Sequence, residues 1–364
     1  MVEETGTAPR RMDWLDYGRI ICALWVMLDH YCYISGITPM ISPTITGYGV
    51  VSVVASYGMT GLYFFFMTSG LVITLTAQKH SAAEFFTRRL VRVYPTYLFC
   101  MTATALICLW GPPRFHVSPM QFLANLTLDP TALGYRPVDA VYWTLTVEVA
   151  FYFCFLAVIM TGQMKRLPAI IAVWVGLQAL CAVARIDTIP MLSHNYHWLA
   201  TGAIFAMIYQ RRHLKLNYAL LAVMLLLCLR AGRAYALETH VSVVVQLALV
   251  VGLFALFFVL RGRHVALPHA RRIGSVTYPL YLLHFHIGLS VIYWIGNGSN
   301  QWIVMPGVVI AMVVASIVVD DVIEFRLRAF WFRLVRGTAA RPFAWWDRRF
   351  GRVEHIRTRA ERSS

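Results

Sequence analysis

The feature that most constrains this chain is a series of continuous apolar runs, most of them about 17–20 residues long. One helix needs about 20 apolar residues to cross a hydrocarbon core about 30 Å thick. The runs therefore predict an all-α fold, a polytopic transmembrane helical bundle of about ten spans. They lie at roughly 20–37, 59–77, 94–110, 141–160, 168–184, 197–209, 218–230, 241–260, 276–295 and 303–320. An additional apolar stretch at 45–57 is either a re-entrant piece or an extension of the second helix.

Composition excludes the other fold classes. Of the 364 residues, 59% are hydrophobic and only 13% are charged, which is about half the charged fraction of a soluble domain. The apolar content excludes disorder, and the length excludes a disulfide scaffold. Because the runs are continuous rather than alternating, an outer-membrane barrel is excluded as well. The 7 cysteines lie in or beside apolar runs and form no Cys-x-x-Cys pair, so we expect neither disulfides nor a metal site.

The basic residues set the expected orientation. A net charge of +15 would suit a nucleic-acid partner, but the Lys and Arg residues stand in short clusters between apolar runs. If the N-terminus lies inside, 27 of the 32 fall on the inner side and 5 on the outer side. Such an excess on one side is the usual topology signal of membrane proteins. We therefore expect both termini to be cytoplasmic and no nucleic-acid partner.

The same pattern gives three expected regions. Residues 1–19 form a cytosolic tail, and no cleavage site follows them, so we expect a retained first helix and not a removed signal peptide. Residues 20–320 form the transmembrane domain. Residues 321–364 form a basic C-terminal tail with three tryptophans, which is typical of an amphipathic segment on anionic lipid.

Ionisable residues in the first span are the first candidate site. Arg19 and His30 are eleven residues apart, almost three helical turns, so a straight helix would carry both on one face with a rise of roughly 16 Å. Asp29 stands next to His30. An ionisable residue at such depth indicates function, although a histidine that hydrogen-bonds a neighbouring helix for packing is the simpler alternative.

Two further candidates follow. Ser69-Gly70 in the second span is more typical of a packing notch than of a nucleophile. In the next loop, Arg88 and Arg89 lie four and three residues before Arg92, so on a helix both pairs face together. Three guanidiniums there could hold phosphates by forked hydrogen bonds, or they could be ordinary inner-side charge.

The fourth and ninth spans add polar groups. Trp143 is a plausible interface residue, and Glu148, one turn deeper, needs a partner, for which His30 is one candidate. His284 and His286 are two residues apart and face different sides of a helix, so they make no metal pair; we expect His286 to make packing hydrogen bonds. The tenth span ends in an acidic cluster, which we expect to pair with the basic loops: Asp320, Asp321 and Glu324.

Taken together, these motifs resemble the acyltransferase-3 family of integral membrane acyltransferases. The matching elements are Arg-x10-His in the first span, Phe-Phe-x-x-Ser-Gly in the second, Arg-x2-Arg followed by Tyr-Pro, Trp-x-Leu-x-x-Glu-x-x-Phe-Tyr in the fourth, and Tyr-x-x-Tyr-Leu-x-His in the ninth. They extend from about residue 13 to 324. The Glu-x-Pro that often ends the last span of relatives reads Glu324-Phe-Arg in this chain.

The resemblance implies an enzyme that transfers an acyl group, with acetyl the commonest donor group, from cytosolic acetyl-CoA or another acyl-CoA. The acceptor it implies is a hydroxyl of an extracytoplasmic or lipid-linked saccharide, as in exopolysaccharide O-acetylation, at a bacterial inner membrane. It implies His30 as the catalytic residue and Arg19, Arg89 and Arg92, with Arg88 beside them, at the donor end. We assign Glu148 as the partner of the imidazolium, and the remaining substrate-binding candidates are Asp29, Ser69, Trp143, Tyr152 and His284.

Three alternatives stay open at this point. The hydroxyl attacks the thioester directly with His30 as general base, or a covalent acyl-His forms first. The acceptor could instead be a lipid or a small metabolite. A non-enzyme reading is a multi-span transporter in which His30, Glu148 and His284 form a relay.

Overall fold

The computed structural model describes residues 12–34, 44–45, 47–186, 189–263 and 266–350. Residues 1–11 of the predicted tail 1–19 and residues 351–364 of the predicted tail 321–364 lie outside these residues. The described residues contain helices and no strand, which confirms the all-α prediction. The longer helices are α1 (Asp13–Leu28), α2 (Val50–Ala55), α3 (Met59–Ala77), α4 (Ala82–Cys108), α5 (Pro119–Asn125), α6 (Trp143–Met160), α7 (Leu167–Ala184), α8 (His194–Tyr209), α9 (Leu214–Glu238), α10 (Val243–Leu260), α11 (Ala270–Ile295), α12 (Gln301–Val319), α13 (Arg328–Gly337) and α14 (Arg341–Phe350).

Over the described residues, each predicted apolar run coincides largely with one long helix, but the helices differ in how well they suit a bilayer. In the first run, 20–37, α1 ends at Leu28, π-helical turns follow to Ile34, and residues 35–37 lie outside the described residues. Within the described chain, eight are long and apolar enough to cross a membrane. The other two are α1, which carries Asp13, Asp16 and Arg19, and α8, which has only 16 residues and is buried along most of its length. The stretch predicted at 45–57 contains α2, which leads through a short turn into α3.

Contacts between helix termini define two ends of the bundle. At the basic end, α1, α4 and α11 begin and α6 and α12 finish; there Tyr17 Oη donates to the Pro268 carbonyl at 2.7 Å, and Arg272 pairs with Asp321 at 3.1 Å. At the far end, Tyr33 Oη donates to the Thr239 carbonyl at 2.6 Å. The long helices that these contacts place therefore run in alternating directions between the two ends.

The C-terminal helices α13 and α14 pack across the basic end against α4. The Asp347 carboxylate accepts hydrogen bonds from the backbone N–H groups of Ala82 and Ala83, at 3.2 and 2.9 Å. A negative charge is favourable at that position because the first N–H groups of a helix carry partial positive charge. Trp346 Nε1 donates to the Met160 carbonyl at 3.0 Å, so α14 connects the ends of α4 and α6.

Two glycines allow α3 and α8 to approach closely at the centre of the bundle. A Cβ added to Gly70 would lie 2.1 Å from the Leu199 carbonyl oxygen, and one added to Gly202 would lie 2.0 Å from the Met67 carbonyl oxygen. Because both obstacles are backbone atoms, neither can move without shifting a helix. The predicted packing notch at Ser69-Gly70 is therefore present, and Gly202 completes it.

This crossing predicts that Gly202→Ala lowers the free energy of unfolding by about 1–3 kcal/mol, the usual cost of overpacking. The matched control is Gly176→Ala on the exposed face of α7, where nothing lies within 4 Å of the added carbon. Thermal unfolding of both variants in detergent would test the difference. Equal melting temperatures would show that the helices separate at little cost.

Candidate active site

A central cavity lies between α1, α3, α4, α6 and α11. Its volume is about 120 Å³. It meets a larger cavity of about 610 Å³ at the basic end, which we call the basic cavity, and both are lined by Arg19, Arg92 and Gly274. The polar residues that line the central cavity are Arg19, Ser69, Arg89, Arg92, Thr144, Glu148, Tyr152, Thr277, Tyr278 and Tyr281.

Each of the four candidate arginines lines at least one of these two cavities, and Arg19 and Arg92 line both. Arg19, Arg89 and Arg92 line the central cavity, while the exposed Arg88 lines the basic cavity only. Each has a partner in the protein: Arg19 pairs with Asp16 at 3.6 Å, Arg88 with Glu84 at 2.7 Å and Arg92 with Glu324 at 2.7 Å, and Arg89 donates to the Thr76 hydroxyl.

The acidic cluster has the partners predicted for it. Glu324 accepts from Arg92, and its second oxygen accepts from Thr96 Oγ1 at 3.0 Å. Asp321 pairs with Arg272 at 3.1 Å and with Arg326 at 2.8 Å. The expected pairing of the cluster with basic residues is confirmed, and Glu324 holds Arg92 at the junction of the two cavities.

Glu148 is the centre of a hydrogen-bonded group inside the central cavity. Ser69 Oγ donates to Glu148 Oε1 at 2.8 Å, and Tyr152 Oη donates to the same oxygen at 2.6 Å. Tyr152 follows Glu148 by four residues on α6, so the two share a helix face. The Arg89 guanidinium lies 5.5 Å from the centre of the Tyr152 ring. The structure thus brings Ser69, Glu148 and Tyr152 together beside the arginines.

His30 lies outside this group and pairs with His284. The two nitrogens His30 Nδ1 and His284 Nε2 are 2.9 Å apart, and His284 Nδ1 is 2.8 Å from the Tyr281 carbonyl oxygen. A carbonyl only accepts, so His284 Nδ1 carries the proton, and the Nε2 of a neutral His284 must accept from His30 Nδ1–H. This assignment leaves a lone pair on His30 Nε2, the form in which an imidazole acts as a base.

The histidine pair corrects our assignment of Glu148 as the partner of His30. The α-helical part of α1 ends at Leu28, and Asp29–Ile34 form π-helical turns. A π-helical turn contains more residues than an α-helical turn, so the extrapolation from Arg19 along a straight α-helix does not hold at His30. The side chain faces His284 on α11, and its ring also packs edge-on against Phe285 at 4.4 Å.

The remaining candidates lie elsewhere or have packing roles. Asp29 is buried against Gly58 at the start of α3. Trp143 lines a different cavity at the far end. His286 makes the expected packing contacts, because its Nδ1 is 2.9 Å from the Val138 carbonyl oxygen and its ring stacks on Phe115.

Two tyrosines of α11 belong to the site and were not among the predicted site residues. Tyr278 and Tyr281 both line the central cavity. Tyr281 also accepts at its hydroxyl from Thr144, at 3.1 Å, and at its carbonyl from His284. It therefore lies between the central cavity and the histidine pair. The signal was present in the sequence, since residues 278, 281 and 284 are three apart and share one helix face.

The hydrogen-bond chain predicts that His30 carries its proton on Nδ1. Nuclear magnetic resonance of protein labelled with ¹⁵N-histidine distinguishes the two tautomers, and His30→Gln identifies the His30 signals. We expect the Nδ1–H form in the wild type and a shift toward the Nε2–H form in His284→Phe, which removes the acceptor but keeps a ring. An Nε2–H signal for His30 in the wild type would contradict the assignment.

Comparison with known families gives one match. A family model described as an acyltransferase domain matches residues 12–321. This range includes every candidate site residue and ends before Glu324 and the two C-terminal helices. No curated protein and no solved structure gives a significant match.

Proposed function

The chain belongs to this acyltransferase family, and from that premise we propose that it moves an acyl group, acetyl in the first instance, from cytosolic acyl-CoA to a hydroxyl of an extracytoplasmic saccharide. Family membership makes it a multi-pass membrane acyltransferase and sets aside the transporter alternative. The observation that carries the proposal is the arginine-lined junction between the basic cavity and the central cavity.

The proposal that the enzyme binds acyl-CoA rests on the positive charge of the basic cavity. The basic cavity is lined by six arginines and three carboxylates, Arg19, Arg88, Arg92, Arg271, Arg272, Arg328, Asp16, Asp320 and Glu324. An excess of guanidinium groups suits the phosphates of a coenzyme A nucleotide, since arginine binds phosphate with two parallel hydrogen bonds. The thin pantetheine arm would then enter the narrower central cavity past Arg19 and Arg92.

Arg89 is a second reason to propose that the acyl donor binds in the central cavity. Its Nε is buried and has no hydrogen-bond partner among the described residues. A buried donor without a partner costs about 1–3 kcal/mol, and an anionic or carbonyl oxygen of the donor would satisfy it. The Ser69, Glu148 and Tyr152 group beside it would position the amide groups of the arm.

For the chemical step, we assign His30 as the general base. Its Nε2 takes the proton of the acceptor hydroxyl as the oxygen attacks the thioester carbonyl, the C–O bond forms and the C–S bond breaks, and the proton then passes to the leaving thiolate. His284 holds the ring in the required tautomer through Nδ1 and stabilises the imidazolium. An acyl group carried temporarily on His30 Nε2 is the covalent variant of the same geometry.

The proposed acceptor and location rest on the expected orientation. With the basic end in the cytosol, as the positive-inside pattern indicates, the far end faces the outside, where an exopolysaccharide or a lipid-linked repeat unit would be available. Together with the family membership, this orientation supports our proposal of a bacterial inner membrane as the location, in contact with membrane lipids.

Donor binding tests the first half of the proposal. Arg89→Ala/Arg92→Ala removes two charge-assisted contacts of about 1.5–3 kcal/mol each, so we expect the Kd for radiolabelled acetyl-CoA to rise at least about 100-fold. Arg333→Ala/Arg336→Ala is the matched control, because it removes two exposed arginines of α13 that line neither cavity; its affinity should stay near that of the wild type. If this control loses as much affinity as the Arg89→Ala/Arg92→Ala variant, the loss reflects the overall positive charge and not contacts in the cavities.

Turnover tests the second half. His30→Ala and His284→Phe should keep acetyl-CoA binding and lose about 10²–10⁴-fold in acyl transfer or thioester hydrolysis, the usual contribution of a positioned base. His30→Ala should lose more, since it removes the base itself. Binding without any loss of turnover in His30→Ala would refute the mechanism, and a wild type that shows no saturable acetyl-CoA binding would refute the proposed donor.

A further inference from the structure

We propose that the third cavity, at the far end of the bundle, is the binding site for the saccharide acceptor; this inference rests on the proposed function, and we call this cavity the far cavity. The far cavity has a volume of about 470 Å³ and lies between the beginnings of α3, α6 and α8 and the last turns of α9. The basic cavity is at the opposite end of the bundle and is lined by other helices, chiefly α1, α4 and α11. Donor and acceptor would therefore enter from opposite sides.

Aromatic rings form part of the far-cavity wall, and they are held in place. Tyr63 stacks on the buried Trp198 with ring centroids 3.9 Å apart and an angle of 8° between the planes. Tyr235 donates its hydroxyl hydrogen to the Ser56 carbonyl at 3.1 Å. Trp143 is the third ring. Fixed rings of this kind offer flat apolar faces with polar edges, which suits a sugar ring with its C–H faces and hydroxyl edges.

Polar groups complete the wall, and their charges balance. Arg230 donates to the Ala182 carbonyl at the end of α7, Glu238 is exposed two turns later on α9, and Asn195 lies at the start of α8. Guanidinium and amide N–H groups donate, and carboxylate and amide oxygens accept. One cation and one anion, both on α9, favour a ligand rich in hydroxyls over a polyphosphate, in contrast to the arginine excess in the basic cavity.

A pair of contacting rings connects the wall of the far cavity to the wall of the central cavity. Trp143 lines the far cavity, and the next residue, Thr144, lines the central one. Phe66 lines the central cavity and packs edge-on against Trp143, with ring centroids 6.2 Å apart. An acceptor in the far cavity would thus lie one ring pair away from the cavity assigned to the donor arm.

The test fills the far cavity without touching the donor side. Ala234 lines the cavity on α9 and is exposed, so Ala234→Trp adds bulk there; Leu237→Trp, at an exposed position of α9 that is not among the cavity lining, is the control. Each variant is expressed in a strain of the source organism that lacks the chromosomal copy of the gene. Inside-out membrane vesicles are then prepared from these cells. We would measure label transferred from radiolabelled acetyl-CoA to the saccharide fraction, and acetyl-CoA binding by the purified protein.

We expect Ala234→Trp to bind acetyl-CoA like the wild type and to transfer at least 10-fold less label, and Leu237→Trp to match the wild type in both. Wild-type transfer in Ala234→Trp would overturn the acceptor site and leave the proposed function intact. Vesicles in which the wild type transfers no more label than His30→Ala would instead overturn the proposed function.

A reversible modification distinguishes a blocked cavity from a misfolded protein. Ala234→Cys introduces only a small side chain, so the variant should fold like the wild type. A membrane-impermeant methanethiosulfonate, applied to permeabilised vesicles, would then fill the cavity after folding. We expect the reagent to block saccharide labelling in Ala234→Cys and not in the wild type with its native cysteines, and dithiothreitol to restore it. Unchanged labelling in fully modified Ala234→Cys would also overturn the site.

Discussion

The structure depends on one constraint: each charged group drawn into the apolar bundle must find a partner there. An isolated charge in such surroundings is costly. Arg92 therefore pairs with Glu324, and Glu148 accepts from Ser69 and Tyr152. Ser69 and Glu148, like Arg92 and Glu324, come from segments far apart in sequence, so these contacts tie α3 to α6 and α4 to the π-helical segment Asp320–Arg326 that follows α12. The same contacts shape the central cavity.

The sequence was sufficient for the fold class, because apolar run length and the distribution of Lys and Arg act through simple rules. Over the residues that the structure describes, every predicted run coincides largely with a helix. The site was also largely predictable where the spacing of residues on a helix puts their side chains on one face. Arg89 and Arg92 both line the central cavity because they are three residues apart on α4. Tyr281 and His284 are likewise three residues apart on one face of α11. Tyr281 was not among the predicted site residues because its side chain carries no charge.

Other features could not be predicted, and each has a physical reason. The π-helical turns after Leu28 depend on packing around α1 and leave no periodic signal. These turns set the direction of the His30 side chain, and His30 therefore pairs with His284 and not with Glu148. The role of Gly202 could not be predicted either, because nothing in its own segment shows that the Met67 carbonyl of another helix lies against it.

The glycine crossing and the polar site depend on each other. Ser69 precedes Gly70, so the close approach of α3 to α8 also sets the position from which Ser69 reaches Glu148 on α6. On the same helix, Phe66 faces the central cavity and Tyr63 faces the far cavity. A shift of α3 would therefore change the Glu148 hydrogen bonds and the ring pair between the two cavities together. Because α3 is held by backbone contact at Gly70 and Gly202, the partition between the proposed donor and acceptor sides is set by packing that involves no catalytic group.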